Sequence, residues 1–246
     1  MAGAFYEEGL TSIHAADYGE VAESGAAMVV QRLARAGLRS GLIVELGCGP
    51  GVSARRFVDA GYDVVACDVA QPMVERARAL VPEAEITHGD VDDFLWPTSA
   101  VAVVAFGEVL SYAMRAEVFD GRVARVVDGA RCVLSEGGAL VFDLVLAGRA
   151  GPRGERHLHH DRRDYELFVD ASEDRTQRTL DRFIHGTTRK APELLIDEHH
   201  RQITTDASAI RELLDERGFA VECFGDYNGQ PLGATGWGVF FGTKVT

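Results

Sequence analysis

The run Val44-Glu45-Leu46-Gly47-Cys48-Gly49-Pro50-Gly51 sets three glycines at alternate positions directly behind a short apolar segment. Glycine accepts positive φ and carries no Cβ, so a ligand can approach bare backbone there, at the C-terminal edge of the sheet where open α/β folds bind ligands. Spacing decides which ligand. A dinucleotide fingerprint, G-x-G-x-x-G, needs its third glycine where Val52 stands. A phosphate-cradling G-x-x-x-x-G-K-S/T run is missing, and no lysine precedes Lys190. The turn therefore points to a ligand without a phosphate chain. Two acids follow behind later apolar runs: Asp68 after Val64-Val65-Ala66-Cys67, and Asp90 in Gly89-Asp90-Val91 after Glu85-Ile86-Thr87. A carboxylate emerging from a strand end accepts hydroxyl or amine hydrogens, at about 1.5–3 kcal/mol per charged hydrogen bond.

A second set of residues could move protons. Glu108 stands directly behind the run Val101 to Phe106, with Tyr112 one helical turn farther on the same face. His14 and Tyr18 lie four apart, which on a helix aims an imidazole and a phenol at one point. His199 and His200 adjoin on a predicted strand, so one of them faces inward whatever the register. Tyr165, Phe183 and Arg201 are candidate neighbours. His157 and His159 share a strand face but sit among Arg153, Arg156, Arg162 and Arg163, and no H-E-x-x-H run or completing thiol accompanies them, so no metal is expected.

These residues need a scaffold, and the chain length of 246 suits one large domain or a domain with a cap. Hydrophobic content of 46% with 26% charged residues excludes disorder and fibrous classes. The longest apolar run, Ala100 to Phe106, falls far short of the roughly 20 residues of a membrane span. Cys48, Cys67, Cys132 and Cys223 stand singly with no CxxC pair and read as buried, reduced thiols. The formal charge of −13, from 38 acids against 25 bases, opposes nucleic acid and anionic membrane. No secretory signal is visible, so a cytoplasmic location is expected.

Periodicity predicts alternating elements: helix over 21–37, strand 42–44, helix 55–60, strand 64–67, helix 72–80, strands 85–87 and 101–106, helix 117–134 and strand 139–144. Residues 149–164, rich in Arg, Gly and His, read as an exposed connection. Three alternating stretches, 165–172, 178–187 and 193–203, predict antiparallel strands. A helix over 208–217, stopped by Gly218, leads to strands 219–224 and 237–244. The expected fold is α/β, a doubly wound, seven-stranded, mostly parallel sheet. The expected division is an N-terminal helical lid (1–40), a cofactor-binding core (41–148), an inserted antiparallel β cap (149–204) and a C-terminal helix and strand pair (205–246).

The acid followed by G-x-G-x-G behind the first strand, with Asp68 and Asp90 behind the next two, resembles the class I S-adenosylmethionine-dependent methyltransferases. Gly107-Glu108-Val109-Leu110-Ser111-Tyr112 after the fourth strand and the antiparallel insert are similar to its small-molecule branch. The resemblance implies S-adenosyl-L-methionine as cofactor and S-adenosyl-L-homocysteine as product. Asp68 would take the ribose hydroxyls, Asp90 the adenine amine, and Glu45 would lie near the aminoacyl end. Gly47, Cys48, Gly49, Gly51, Val69, Met73, Gly89, Val91, Phe106 and Tyr18 would complete that site, with residues 12–18 folding over it as part of the lid.

It also implies methyl transfer to an N or O atom of a small molecule by in-line displacement, with Glu108, His14 and His199 as candidate catalytic residues. The alternatives carried are a non-methylating, cyclase-like enzyme and a ligand-binding regulator on the same fold; a nicotinamide oxidoreductase is disfavoured by Val52. The expected partner is a small-molecule methyl acceptor, without nucleic acid or membrane, and a homodimer is the one macromolecular assembly considered.

Overall fold

The computed structural model describes residues 9, 10, 13, 19–189, 193–233 and 235–245. His14 and Tyr18 lie outside the described residues. In chain order the first part comprises Gly19–Arg35 (α1), Leu42–Leu46 (β1), Val52–Asp59 (α2), Asp63–Asp68 (β2), Gln71–Leu80 (α3), Glu85–His88 (β3), Ala100–Ala105 (β4), Ala116–Val133 (α4) and Leu134–Val145 (β5). Short 3₁₀ turns at Val91–Asp93 and Val109–Ser111 follow β3 and β4. Then come Glu155–Asp161 (β6), Tyr165–Asp174 (β7), Thr179–Thr188 (β8) and Leu195–Ile203 (β9). Ala207–Glu216 (α5), Phe219–Phe224 (β10) and Trp237–Lys244 (β11) close the chain.

Seven strands form one sheet in the order β10-β11-β5-β4-β1-β2-β3, parallel except for β11, which runs antiparallel to both neighbours. The central strands are covered on both faces and so read as continuous apolar runs: β4 is Ala-Val-Ala-Val-Val-Ala. One face is closed by α4 and α5, which bring Phe119, Val123, Val127 and Ile210 onto Val44, Val103, Phe142 and Phe240. The other is closed by α1, α2 and α3 through Val29, Phe57, Val74 and Ala77. Each fully buried large side chain of this kind contributes about 1.5–3 kcal/mol. The doubly wound expectation is met.

Four local expectations are corrected. Helix α1 is a core element rather than a lid: Ala26, Val29 and Leu33 are fully buried, and Gly25 packs so tightly on Phe106 that a Cβ would stand 2.9 Å from its ring. Residues 155–161 form an edge strand, invisible to alternation because six of its seven residues are exposed. Cys132 is exposed, whereas Cys48 and Cys67 are buried. Strand β5 also begins five residues earlier than predicted, since a register shift around Gly137 and Gly138 breaks its pattern.

The insert is a four-stranded antiparallel meander, β6-β7-β8-β9. Its inner face carries Tyr165, Leu167, Ile184 and Ile196, which enclose Leu10 and Ile13. The chain re-enters the core where Thr205 pairs with Leu146 beside the end of β5.

Candidate active site

Each glycine of the turn after β1 has its own reason. All three have positive φ: 71° at Gly47, 52° at Gly49 and 89° at Gly51. A Cβ on Gly47 would meet Val109 at 2.5 Å, and one on Gly51 would meet the Ala77 backbone at 3.0 Å, so both are needed by packing. Gly49 alone faces open space, with nothing within 4 Å of a built Cβ. The turn is tied down when Gly47 N–H and Cys48 N–H donate to the Cys67 carbonyl at 2.8 and 3.0 Å.

Asp68, at the end of β2, accepts from Gly49 N–H at 2.8 Å and from Ala70 N–H at 2.9 Å. Burial raises its pKa, opposed by those two hydrogen bonds. Beside it Val69 is half exposed, an apolar surface at the sheet edge, and a Cβ on Gly89 would also meet open space. Glu45 is 1% exposed; Ser53 Oγ–H donates to its Oε1, while Oε2 is buried without a partner. Burial pushes its pKa up to about 8, against the Ser53 hydrogen bond and with the added repulsion of Asp68. Neither Glu45 nor Asp68 forms an ion pair among the described residues. An open backbone cradle beside two acids that form no ion pair suits a positively charged, phosphate-free ligand better than a pyrophosphate.

The remaining expected cofactor residues divide. Asp90 Oδ1 accepts from Asp92 N–H at 2.9 Å and pairs with Arg122 at 3.2 Å, so part of its capacity is already used. Val91 is half-buried at the start of the same 3₁₀ turn. Arg122, itself 8% exposed, also holds Asp92 at 2.7 Å and donates to the Tyr112 carbonyl, joining the loops after β3 and β4. Met73 and Phe106 are buried. The Phe106 ring is enclosed by Gly25 and by Tyr227 at 5.2 Å, a packing position rather than an open face.

The structure redistributes the proton-handling candidates. Glu108 has φ 63°, held there as Gly107 N–H and its own N–H donate to Asp143. Asp143 is fully buried and also receives Tyr227 O–H and Trp237 Nε1–H; burial raises its pKa to about 6 against the Tyr227 hydrogen bond. The Glu108 side chain is gripped by Arg182 at 2.7 Å, Arg149 at 3.1 Å and Gln202 Nε2 at 3.1 Å. Burial alone would raise its pKa, but the two guanidiniums overcome that and hold it at about 2. A carboxylate so acidic is a poor base at neutral pH, and its contacts join the loop after β4 to β8, β9 and the segment after β5.

His199 points to the outer face of β9, stacked on Phe183 at 4.4 Å and bonded to Asp181 at 2.7 Å. The inner histidine is His200, 1% exposed. Its Nδ1 lies 3.3 Å from Tyr112 Oη and its Nε2 lies 2.7 Å from Glu198 Oε2. Because Glu198 as a carboxylate only accepts, Nε2 carries the hydrogen and Nδ1 accepts from the Tyr112 phenol. The tyrosine, histidine and carboxylate thus form one hydrogen-bonded chain between the loop after β4 and the inner face of β9. Even parity on β9, shared by buried Ile196, Glu198, His200 and Gln202, was the signal that separates His200 from His199.

Among the described residues no group of three or more potential ligands could hold a metal, and His157 and His159 are engaged by Asp170 and Glu166. Nor is any helix among them long and apolar enough to cross a membrane. A groove of about 400 Å³ between α4 and α5, closed at one side by Arg178 on Asp120, contains none of the site residues.

Comparison with known proteins places these features in context. Residues 43–138 match the family described as methyltransferase domain. A protein of Geobacillus sp. (strain WCH70), named as a methyltransferase, is 24% identical over 82% of this chain and 83% of its own. Of the solved structures, an S-adenosylmethionine-dependent methyltransferase from Clostridium acetobutylicum ATCC 824 superposes with a TM-score of 0.80 at 13% identity, over 96% of this chain and 97% of that one. CalS10 with bound S-adenosylmethionine, an amino pentose methyltransferase from Micromonospora echinaspora, gives 0.73 at 17% identity over 98% of both chains. At such identities the structures establish a shared fold.

Proposed function

We propose that the protein moves a methyl group from S-adenosylmethionine to an N or O atom of a small molecule, a reading supported by the match of residues 43–138 to the methyltransferase domain family. The observation that carries this reading is the open backbone at Gly49 beside two acids that lack cation partners, at the C-terminal edge of β1 and β2. Asp68 anchors the ribose, Glu45 lies toward the aminoacyl end, and Val69, Gly89 and Val91 border the adenine. Residues 41–148 and 205–246 make up the cofactor half and 149–204 the acceptor cap, with α1 packed on the former and Leu10 and Ile13 on the latter.

The cofactor supplies an electrophilic methyl on a sulfonium. The chain's task is to hold the acceptor atom in line with it at about 3 Å and to exclude water. Tyr112, His200 and Glu198 provide for the acceptor's proton: it passes to Tyr112 Oη while the phenol hydrogen passes to His200 Nδ1, and Glu198 steadies the imidazolium through Nε2–H. Arg182, Arg149 and Gln202 on Glu108 fix the cap over the loop that carries Tyr112. An amino pentose is the acceptor class named for one structural relative, which favours a hydroxylated amine here.

Incubation with S-adenosylmethionine and a panel of small amines, amino sugars and alcohols, read by mass spectrometry, tests the reading. A product heavier by one methylene unit is expected. Cofactor binding with unchanged mass of every compound favours a non-methylating enzyme or a regulator, and tight binding of a nicotinamide dinucleotide instead would overturn the proposal.

A further inference from the structure

We propose that Glu45 is neutral in the empty pocket and surrenders its proton when the α-ammonium of the cofactor arrives, so that cofactor capture expels a proton to solvent. The inference rests on the cofactor reading above and concerns how that same site is regulated.

The geometry carries it. Glu45 is 1% exposed at the end of β1, its Oε1 receives Ser53 O–H from the first turn of α2, and its Oε2 is buried with no partner. A buried carboxylate with an unmatched oxygen is stable only beside a cation. None of the elements around it offers one among the described residues. Its register partners on β2 and β4 are Ala66 and Val104. The titratable groups that face it are the carboxylate of Asp68 and the thiols of Cys48 and Cys67, each acidic. The pocket therefore penalises a second negative charge, in agreement with the upward displacement of Glu45 described above.

S-Adenosylmethionine and S-adenosylhomocysteine both carry an α-ammonium, the cation this corner lacks. The exchange balances as neutral Glu45 carboxyl plus ligand ammonium giving a carboxylate–ammonium pair plus one proton released; no covalent bond other than O–H breaks. Linkage then fixes the sign. Acid competes with the ligand, and over the range in which empty Glu45 is protonated and the ligand amine is charged, affinity rises about 10-fold per pH unit.

Calorimetric titration of the full chain with S-adenosylhomocysteine at pH 7, in phosphate and in Tris, measures the protons exchanged from the difference in apparent enthalpy. Release of close to one proton is expected, together with a Kd that falls about 10-fold between pH 6 and pH 7. 5′-Methylthioadenosine, which lacks the amino-acid end, should bind with no release. Glu45→Gln should abolish the release with S-adenosylhomocysteine and flatten the pH dependence. Binding of S-adenosylhomocysteine by the unaltered protein without proton release overturns the proposal and leaves the cofactor reading intact. Release that persists in Glu45→Gln also overturns it. Failure of S-adenosylmethionine, S-adenosylhomocysteine and 5′-methylthioadenosine alike to bind removes the cofactor reading and the proposal with it.

Discussion

His200 Nε2 lies 2.7 Å from Glu198 Oε2, two residues earlier on the same inner face of β9, so the strand's own alternation fixes the imidazole tautomer that the Tyr112 phenol requires. His200→Gln and Tyr112→Phe should each slow methyl transfer by about 10²-fold or more while leaving the Kd for S-adenosylmethionine unchanged. Glu198→Gln should show a smaller loss of the same kind. An equal loss in cofactor affinity would move these residues to the cofactor side.

Asp68→Ala removes the acceptor at the end of β2, and S-adenosylmethionine should bind about 10-fold to 150-fold more weakly, from about 1.5–3 kcal/mol lost. Circular dichroism should show the fold retained. Calorimetry that returns an unchanged dissociation constant would contradict the ribose assignment.

Glu108 distinguishes a clamp from a base. Replacing it by Gln removes the ion pairs to Arg182 and Arg149, and urea unfolding should show a loss of about 1.5–3 kcal/mol. Its pKa falls from 4.5 to about 2 on folding, so the stability it contributes is complete above the unfolded value and is lost as pH drops from about 4.5 toward 2. Glu108→Gln should lack that acid-side loss. A variant of full stability with only its rate reduced would restore the base assignment.

Glycine substitutions in the turn should separate folding from binding. Gly51→Ala combines a φ of 89° with a contact of 3.0 Å to the Ala77 backbone, and thermal melting should reveal a loss of about 2 kcal/mol or more. Gly49→Ala meets no protein atom and should cost only about 1–2 kcal/mol for its left-handed backbone, yet its methyl enters the open space in which the cofactor is proposed to lie. A marked rise in the Kd for S-adenosylmethionine is expected there; unchanged affinity would mean that the ligand lies elsewhere.

The fold around the glycine turn was legible in the sequence because backbone requirements leave residue-level marks. Glycine at 47 and 51 and acids behind two strands are local facts, and burial of both sheet faces leaves continuous apolar runs such as β4. The inner face of the insert was harder for two physical reasons. Strand β9 carries Leu195 and Ile196 side by side, so apolar alternation cannot say which parity is inward, and the choice of His199 over His200 turned on that. The charge state of Glu108 depends on Arg182, 74 residues away, and on Arg149 and Gln202. Such a grip is a tertiary fact with no spacing to betray it. Asp143 was passed over for the same reason, as an acid inside an apolar strand whose donors come from three distant segments.

Asp143 couples two distant parts of the sheet edge. The loop that carries Glu108 and leads to Tyr112 is pinned by this one carboxyl, which also receives Tyr227 and Trp237. Trp237 opens β11, whose antiparallel pairing with β5 begins at Trp237 and Val145, so a change that loosens β11 would free the backbone leading to Tyr112 as well.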